Sequence, residues 1–230
     1  LAPKSEAEFL PALERAEALR AGGKWLAGYF SYEAGYLLEP KLRPLLPDGR
    51  RVPLFCLGVF DGPSDRIIGG AAQAPTNGPL FDAKPEVAFP EYRRRFERLH
   101  QHIREGDCYQ ANLTFPVRAG WSGDPLAAFA ALAARQPVKY GALVSLGGPV
   151  VLSRSPELFF EIGADGFVET HPMKGTAPRG QTRAEDARMK KFLREDPKNQ
   201  AENRMIVDLL RNDISLISEV GTLDVPELFR

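Results

Sequence analysis

Three stretches of the chain carry side chains whose types and spacing suit chemistry. In Ala201 to Asn212 the apolar residues Met205, Ile206, Leu209 and Leu210 recur with helical spacing, and Glu202 lies three, four and seven positions before the first three. That spacing sets the Glu202 carboxylate at the N-terminal end of a core-facing stripe. There it is either a first-turn acid favoured by the helix dipole or a ligand for a divalent cation, with Mg²⁺ preferred because only oxygen ligands are in sight. In the segment from Pro172 to Gly180, a strand-like run leads straight into a stiff, glycine-containing turn that holds Lys174, Gly175, Thr176 and Arg179. A lysine pushed into an apolar cleft loses solvation, its pKa falls, and the neutral amine becomes a nucleophile or base. Gly175 and Thr176 would let backbone N–H groups and a hydroxyl approach an anion, and Arg179 could pair with a carboxylate. The alternative is an ordinary turn with Lys174 and Arg179 in water. The third stretch, Ser153-Arg154-Ser155-Pro156-Glu157, is a polar break between two apolar runs. Such a break marks a bulge or bend, and bulges often line active sites.

These residues need elements to hold them. Ser5 with Glu8 three residues on suggests a capping box opening a helix that runs to Gly22, although Pro11 disturbs it. Trp25 to Leu38 is aromatic-rich and reads as buried strand, and Leu54 to Phe60 with Arg66 to Ala71 reads as a hairpin about Asp61-Gly62-Pro63. Proline, asparagine and glycine between Gln73 and Lys84 have linker chemistry. The expected organisation is an N-terminal α/β portion over 1–72, a linker over 73–86, and a second region over 87–230.

In that second region Tyr92, Phe96, Leu99 and Ile103 mark an amphipathic helix ending at Gly106, with Arg93, Arg94, Arg95 and Arg98 on its solvated face. Cys108 to Val117 alternates with the period of a strand, and Asp124-Pro125 opens a helix to Arg135. Tyr140 to Leu146, Val150 to Ile162 and Phe167 to Met173 are strand-like, and their connections are too short for parallel crossovers. An antiparallel meander with flanking helices implies an α+β fold.

Composition removes several function classes. Thirty basic and thirty acidic residues give a formal net charge of zero, and neither half is a charged arm, so phosphate neutralisation on nucleic acid is not expected. No apolar run reaches the roughly 20 residues of a bilayer span, and the first residues carry neither a basic leader nor an apolar signal core, so a secretory signal is not expected. Two distant cysteines, Cys56 and Cys108, do not make a disulfide framework or a cysteine zinc site. A cytoplasmic protein is the economical expectation. His100 and His102 fall on an exposed helix face, and the dinucleotide, P-loop, zincin and serine-hydrolase motifs are absent.

Four ordered blocks, GDCYQANLT (106–114), SRSPELFFEI (153–162), ETHPMKGTAPRG (169–180) and DPKNQAENRMIVDLLRNDIS (196–215), together resemble the chorismate-utilising enzyme family, most closely its aminodeoxychorismate-forming branch. GYFSYEAGYLLEP (28–40) is similar to the N-terminal part of these proteins. The resemblance implies two packed antiparallel β-sheets with flanking helices, of which 87–230 would be the first half of the catalytic domain, incomplete at the C-terminus. It implies that Glu202 is a Mg²⁺ ligand anchoring the ring carboxylate of chorismate. Lys174 would be the nucleophile that adds to C2 of the ring and expels the 4-hydroxyl before ammonia enters at C4; anthranilate-forming members typically carry alanine there. Gly175 and Thr176 would contact substrate, and Glu157 would be an active-site carboxylate. Asn199 stands where isochorismate and anthranilate members have the first glutamate of an ExxE pair. The implied partners are chorismate, a glutamine amidotransferase subunit that delivers ammonia, and a pyridoxal-phosphate lyase, fused or separate, toward 4-aminobenzoate and folate. The remaining metal-binding glutamates are expected beyond Arg230, so the 230 residues alone are expected to be inactive.

Overall fold

The computed structural model describes residues 1–65 and 80–229. In chain order the elements are α1 (Glu6–Ala21), β1 (Trp25–Phe30), α2 (Ala34–Leu38), a 3₁₀ turn (Arg43–Leu45), β2 (Phe55–Phe60), β3 (Leu80–Pro85), α3 (Phe89–Glu105), β4 (Val117–Trp121), α4 (Pro125–Arg135), β5 (Tyr140–Val144), β6 (Val151–Ser155), β7 (Leu158–Ile162), β8 (Val168–His171), α5 (Arg183–Glu195) and α6 (Pro197–Ser215). The fold is α+β. Its strands pair among the described residues as four two-stranded sheets, β1–β2, β3–β4, β5–β6 and β7–β8. No helix among the described residues is long and apolar enough to cross a membrane. The chain divides into two compact units, Leu1–Pro79 with Ser122–Arg154 and Leu80–Trp121 with Ser155–Arg230.

The first unit is organised by burial. β1 and β2 run antiparallel from Trp25↔Phe60 to Phe30↔Phe55. Phe9 of α1, Ala34 and Leu37 of α2, and Leu54 and Phe55 close over one another as its core. The Phe9 and Phe55 rings meet edge to face at 5.9 Å. Residues 1–3 run beside β2, with Leu57 N–H bonded to Leu1 O and Leu54 N–H to Pro3 O, each at 2.9 Å. The expected strand from Trp25 to Leu38 is therefore only half strand. Its ladder ends where the Ser31 N–H and hydroxyl both bond Leu54 O, and Ala34 and Leu37, three apart, reach the core only on a helix. Ser5 makes no side-chain cap. Glu8 instead accepts the Lys4 N–H at 2.8 Å, a bond that holds its carboxyl below the usual range. In the expected hairpin, Arg66 to Ala71 lies outside the described residues.

The second unit brings β3 against β4, antiparallel, with an irregularity between Phe81 and Lys84 where Asp82 takes φ +51°. Leu80–Pro85 is thus a strand, not the second part of a linker over 73–86; residues 73–79 lie outside the described residues. α3 ends at Gly106, whose φ of +83° the absence of a Cβ permits. The alternating run from Cys108 is not strand until Val117. Its pairing stops with Glu86 N–H to Pro116 O at 2.9 Å, because Pro85 and Pro116 have no N–H to continue the ladder. The expected long strand from Val150 to Ile162 breaks at Pro156, so the meander becomes separate strand pairs, with β7 antiparallel to β8.

Candidate active site

The site is built from the second unit. At the break after β6, the Ser155 hydroxyl accepts the Glu157 N–H at 3.2 Å and donates to Glu157 O at 3.0 Å, folding the chain into a tight polar bend. The bend aims the Glu157 carboxylate across to the end of β8, where Oε1 accepts the Met173 N–H at 3.0 Å. Glu157 is therefore the hydrogen-bond anchor of the residue next to Lys174. Lys174 is half-buried, and its amine makes no ion pair or hydrogen bond with the described residues. Thr176 is exposed.

Gly175 takes φ +78°, and a methyl group at its Cα would stand 2.8 Å from Asn199 Oδ1. Only glycine fits both the left-handed backbone and that close approach. The Lys174 turn is thus seated on the first turn of α6. α6 itself starts where α5 stops: Asp196 follows the last turn of α5, Pro197 occupies the first helical position, and Asp196 Oδ2 caps the Asn199 N–H at 2.9 Å. Because α6 begins at Pro197, Glu202 lies in its second turn. This corrects the first-turn reading, and the helix dipole, which fades within the first turn, is not what accounts for Glu202. Its carboxylate is 29% exposed and 3.7 Å from Lys198 Nζ. Met205, Ile206 and Leu210 are half-buried, whereas Leu209 is 56% exposed and does not belong to a buried stripe. Asn199 and Glu202, three apart, offer two oxygen donors on one helix face. That donor set suits a hard cation such as Mg²⁺.

Arg179 is placed differently from the expectation of a free carboxylate binder. Its guanidinium forms a fork with Asp186 of α5, Nε to Oδ1 at 2.5 Å and the second nitrogen to Oδ2 at 2.9 Å. The hydrogen bonds from Arg179 hold the Asp186 carboxyl below the usual range, and Asp186 raises the guanidinium in return. Beside it, Thr182 and Glu185 form a full capping box, and Glu185 Oε2 also accepts the Gln181 N–H at 2.9 Å. The structure therefore ties Glu157 to the residue before Lys174 and Gly175 to Asn199, with Glu202 three residues on along α6; Arg179 is bound to Asp186, and Thr176 is exposed.

Residues 70–230 match the family described as chorismate binding enzyme. The chain belongs to the chorismate binding enzyme family. An aminodeoxychorismate synthase of Streptomyces pristinaespiralis is 42% identical over 151 residues, 66% of this chain and 21% of that protein. Aminodeoxychorismate synthase component 1 of Klebsiella aerogenes is 36% identical over 184 residues, 78% of this chain and 40% of that protein. An anthranilate synthase component 1 of Haloarcula marismortui is 40% identical over 136 residues, 59% of this chain and 28% of that protein. The chain spans at most 40% of the length of these three relatives. In this member of the chorismate binding enzyme family, sequence reasoning passed over Asp186, although Thr182 followed three residues later by Glu185 marks the start of α5. His100 is exposed, as expected. His102 is half-buried, with Nδ1 2.8 Å from Asp107 Oδ2.

Proposed function

We propose that the intact protein replaces the 4-hydroxyl of chorismate with an amino group, as an aminodeoxychorismate synthase component 1. The observation that carries this reading is the seating of the Lys174–Gly175 turn on Asn199, one helical step from Glu202. A nucleophilic amine and a metal-binding carboxylate then serve one substrate. The Lys174 amine adds to C2 of the ring, the ring double bonds shift, and the 4-hydroxyl departs as water. Ammonia then adds at C4, and the C2–N bond breaks to release the lysine. Splitting a displacement with a poor leaving group into two steps is what a covalent nucleophile supplies. Glu157 holds the Met173 N–H and so sets where the amine stands, and its carboxylate would serve as an acid–base group beside that turn. Glu202, with Asn199 beside it, would hold Mg²⁺, which when bound supplies charge neutralisation and a fixed point for a substrate carboxylate. Gly175 and Thr176 would present backbone and hydroxyl donors to the substrate.

The names of the relatives as component 1 support a partner component, here a glutamine amidotransferase that releases ammonia. A pyridoxal-phosphate lyase would complete the route to 4-aminobenzoate and folate, in the cytoplasm. The test is product analysis of the full-length protein with chorismate, Mg²⁺ and ammonium. Aminodeoxychorismate is the expected product, converted to 4-aminobenzoate only when lyase is added. Anthranilate formed without lyase would overturn the reading in favour of an anthranilate synthase component 1.

A further inference from the structure

The segment that carries Lys174 is tied down on both sides by carboxylates. On the near side Glu157 takes the Met173 N–H. On the far side Asp186 receives both Arg179 nitrogens and also the Gly180 N–H, the last at 3.3 Å. Glu185 then takes the Gln181 and Thr182 N–H groups at 2.9 and 3.2 Å, so three consecutive backbone donors end on the first turn of α5. Gly180 packs so closely on Glu185 and Asp186 that no Cβ fits there. Asp186 itself is only 16% exposed, while Arg179 lies on the solvent side at 84%. An arginine reaching for substrate would point its fork away from its own chain. This one spends both arms on a neighbouring helix, in the bidentate geometry that favours a fixed orientation.

We infer that Arg179 and Asp186 are a clamp that fixes the far end of the Lys174 loop, so that Arg179 is a positioning residue for the lysine and not a ligand of the substrate. The inference rests on the reading of Lys174 as the nucleophile. With the near end fixed by Glu157 and the far end by Asp186, the turn at Gly175 keeps its register against Asn199. Releasing one end lets the amine wander, and misplacement on the scale of about 1 Å costs up to roughly a hundredfold in rate.

The experiment uses the full-length protein and the variants Arg179→Ala, Asp186→Asn, Asp186→Ala and the exchange Arg179→Asp with Asp186→Arg. Arg179→Ala and Asp186→Ala are each expected to lower kcat by roughly tenfold to a hundredfold, with KM for chorismate changed by less than about threefold, the signature of an interaction lost outside ground-state binding. The exchange variant is expected to recover most of the loss. Hydrogen exchange gives a readout independent of turnover: the Gly180 amide should lose protection in both alanine variants, and it should stay unprotected in the exchange variant, which restores the ion pair but puts an arginine, with no acceptor, where Asp186 takes the Gly180 N–H. Asp186→Asn keeps an acceptor for Gly180 while removing the charge that holds Arg179, with thermal unfolding as the check on folding. A tenfold or larger rise in KM for Arg179→Ala while both Asp186 variants behave as the parent would overturn the clamp and make Arg179 a substrate ligand. Lost Gly180 protection with unchanged kcat in the alanine variants would equally end the positioning role. Lys174→Ala with unaltered rate, alongside a normal exchange pattern, would instead sink the nucleophile reading and leave the clamp standing.

Discussion

The two units are held by different physics. All the fully buried hydrophobic side chains among the described residues, Phe9, Leu54 and Phe55 foremost, belong to the unit that contains β1 and β2. In the other unit α5 and α6 bury no residue fully. What fixes the lysine turn there is a set of directed polar contacts: Glu157 to Met173, Asp186 to Arg179 and Gly180, Asp196 to Asn199. Apolar burial is strong and non-directional, so it makes a frame. Hydrogen bonds are weaker in net stability but fix orientation, which is what a nucleophile needs. The difference teaches that the Lys174 turn is placed by directed contacts and not by a core of its own.

The sharpest way to break the comparison is to delete the core. Phe55→Ala should cost about 3–5 kcal/mol, the usual range for a large aromatic lost from a packed site, read as a lowered urea midpoint, whereas the rate per folded molecule of the intact enzyme should stay near the parent's. Lys174→Ala should do the opposite. Its unfolding midpoint should match the parent within error, since the amine has no partner to lose, while turnover of chorismate with ammonium falls by about two orders of magnitude or more. A Phe55→Ala protein that folds normally, or a Lys174→Ala protein that turns over normally, would each remove one side of the contrast.

How far these roles could be read from sequence follows the same division. Patterns that depend on local chemistry were legible: the end of α3 at Gly106, the opening of α4 at Asp124-Pro125, and the Lys174–Gly175 turn all carry their signals within a few residues. Pairing was not. Cys108 to Val117 alternates like a strand, yet its ladder stops between Pro85 and Pro116, and nothing local says which segment will pair with it. The sites divide likewise. Glu202 and Lys174 stood out by type and spacing. The bond from Glu157 to Met173 spans 16 positions and the fork from Arg179 to Asp186 spans seven, so their specificity exists only in three dimensions. Arg179 looked like a carboxylate binder, and it is one, but the carboxylate is its own chain's.

Glu157 offers an intermediate test. Glu157→Ala removes the acceptor for the Met173 N–H, and kcat should fall roughly tenfold to a hundredfold. Glu157→Gln keeps an acceptor oxygen and should fall between the alanine variant and the parent, the recovered part measuring loop position and the remainder measuring the carboxylate's charge or proton transfer. A glutamine variant as poor as the alanine one would assign the whole effect to the carboxylate. Two glycines then separate strain from placement. Gly147 takes φ +79° with open space about its Cα, whereas Gly175 takes +78° against Asn199. Both alanine variants should lose roughly 1–2 kcal/mol of stability from the left-handed backbone, but only Gly175→Ala should also slow turnover.

The smallest expected effect is set by pH. The Asp186 carboxyl is held below the usual range, first by the hydrogen bonds from Arg179 and then by the Gly180 N–H, against a desolvation that works the other way. A carboxyl whose pKa is lower in the folded state binds protons less readily there than in the unfolded chain. Its contribution is therefore complete above the ordinary aspartate range, near pH 4, and is lost as pH falls through the lowered folded value. Because Arg179 lies largely in water, the loss in global stability should be slight, but the local consequence is specific: protonation neutralises the carboxylate that Arg179 and Gly180 share and weakens both bonds. The protection factor of the Gly180 amide should drop on acidification below about pH 4, while that of the Leu57 amide, bonded to the backbone of Leu1 beside the apolar core, stays level over the same interval. Asp186→Asn should abolish the pH dependence at Gly180. If both amides lost protection together, the two units would be responding as one cooperative body, and the division between a packed frame and a polar-held site would fail.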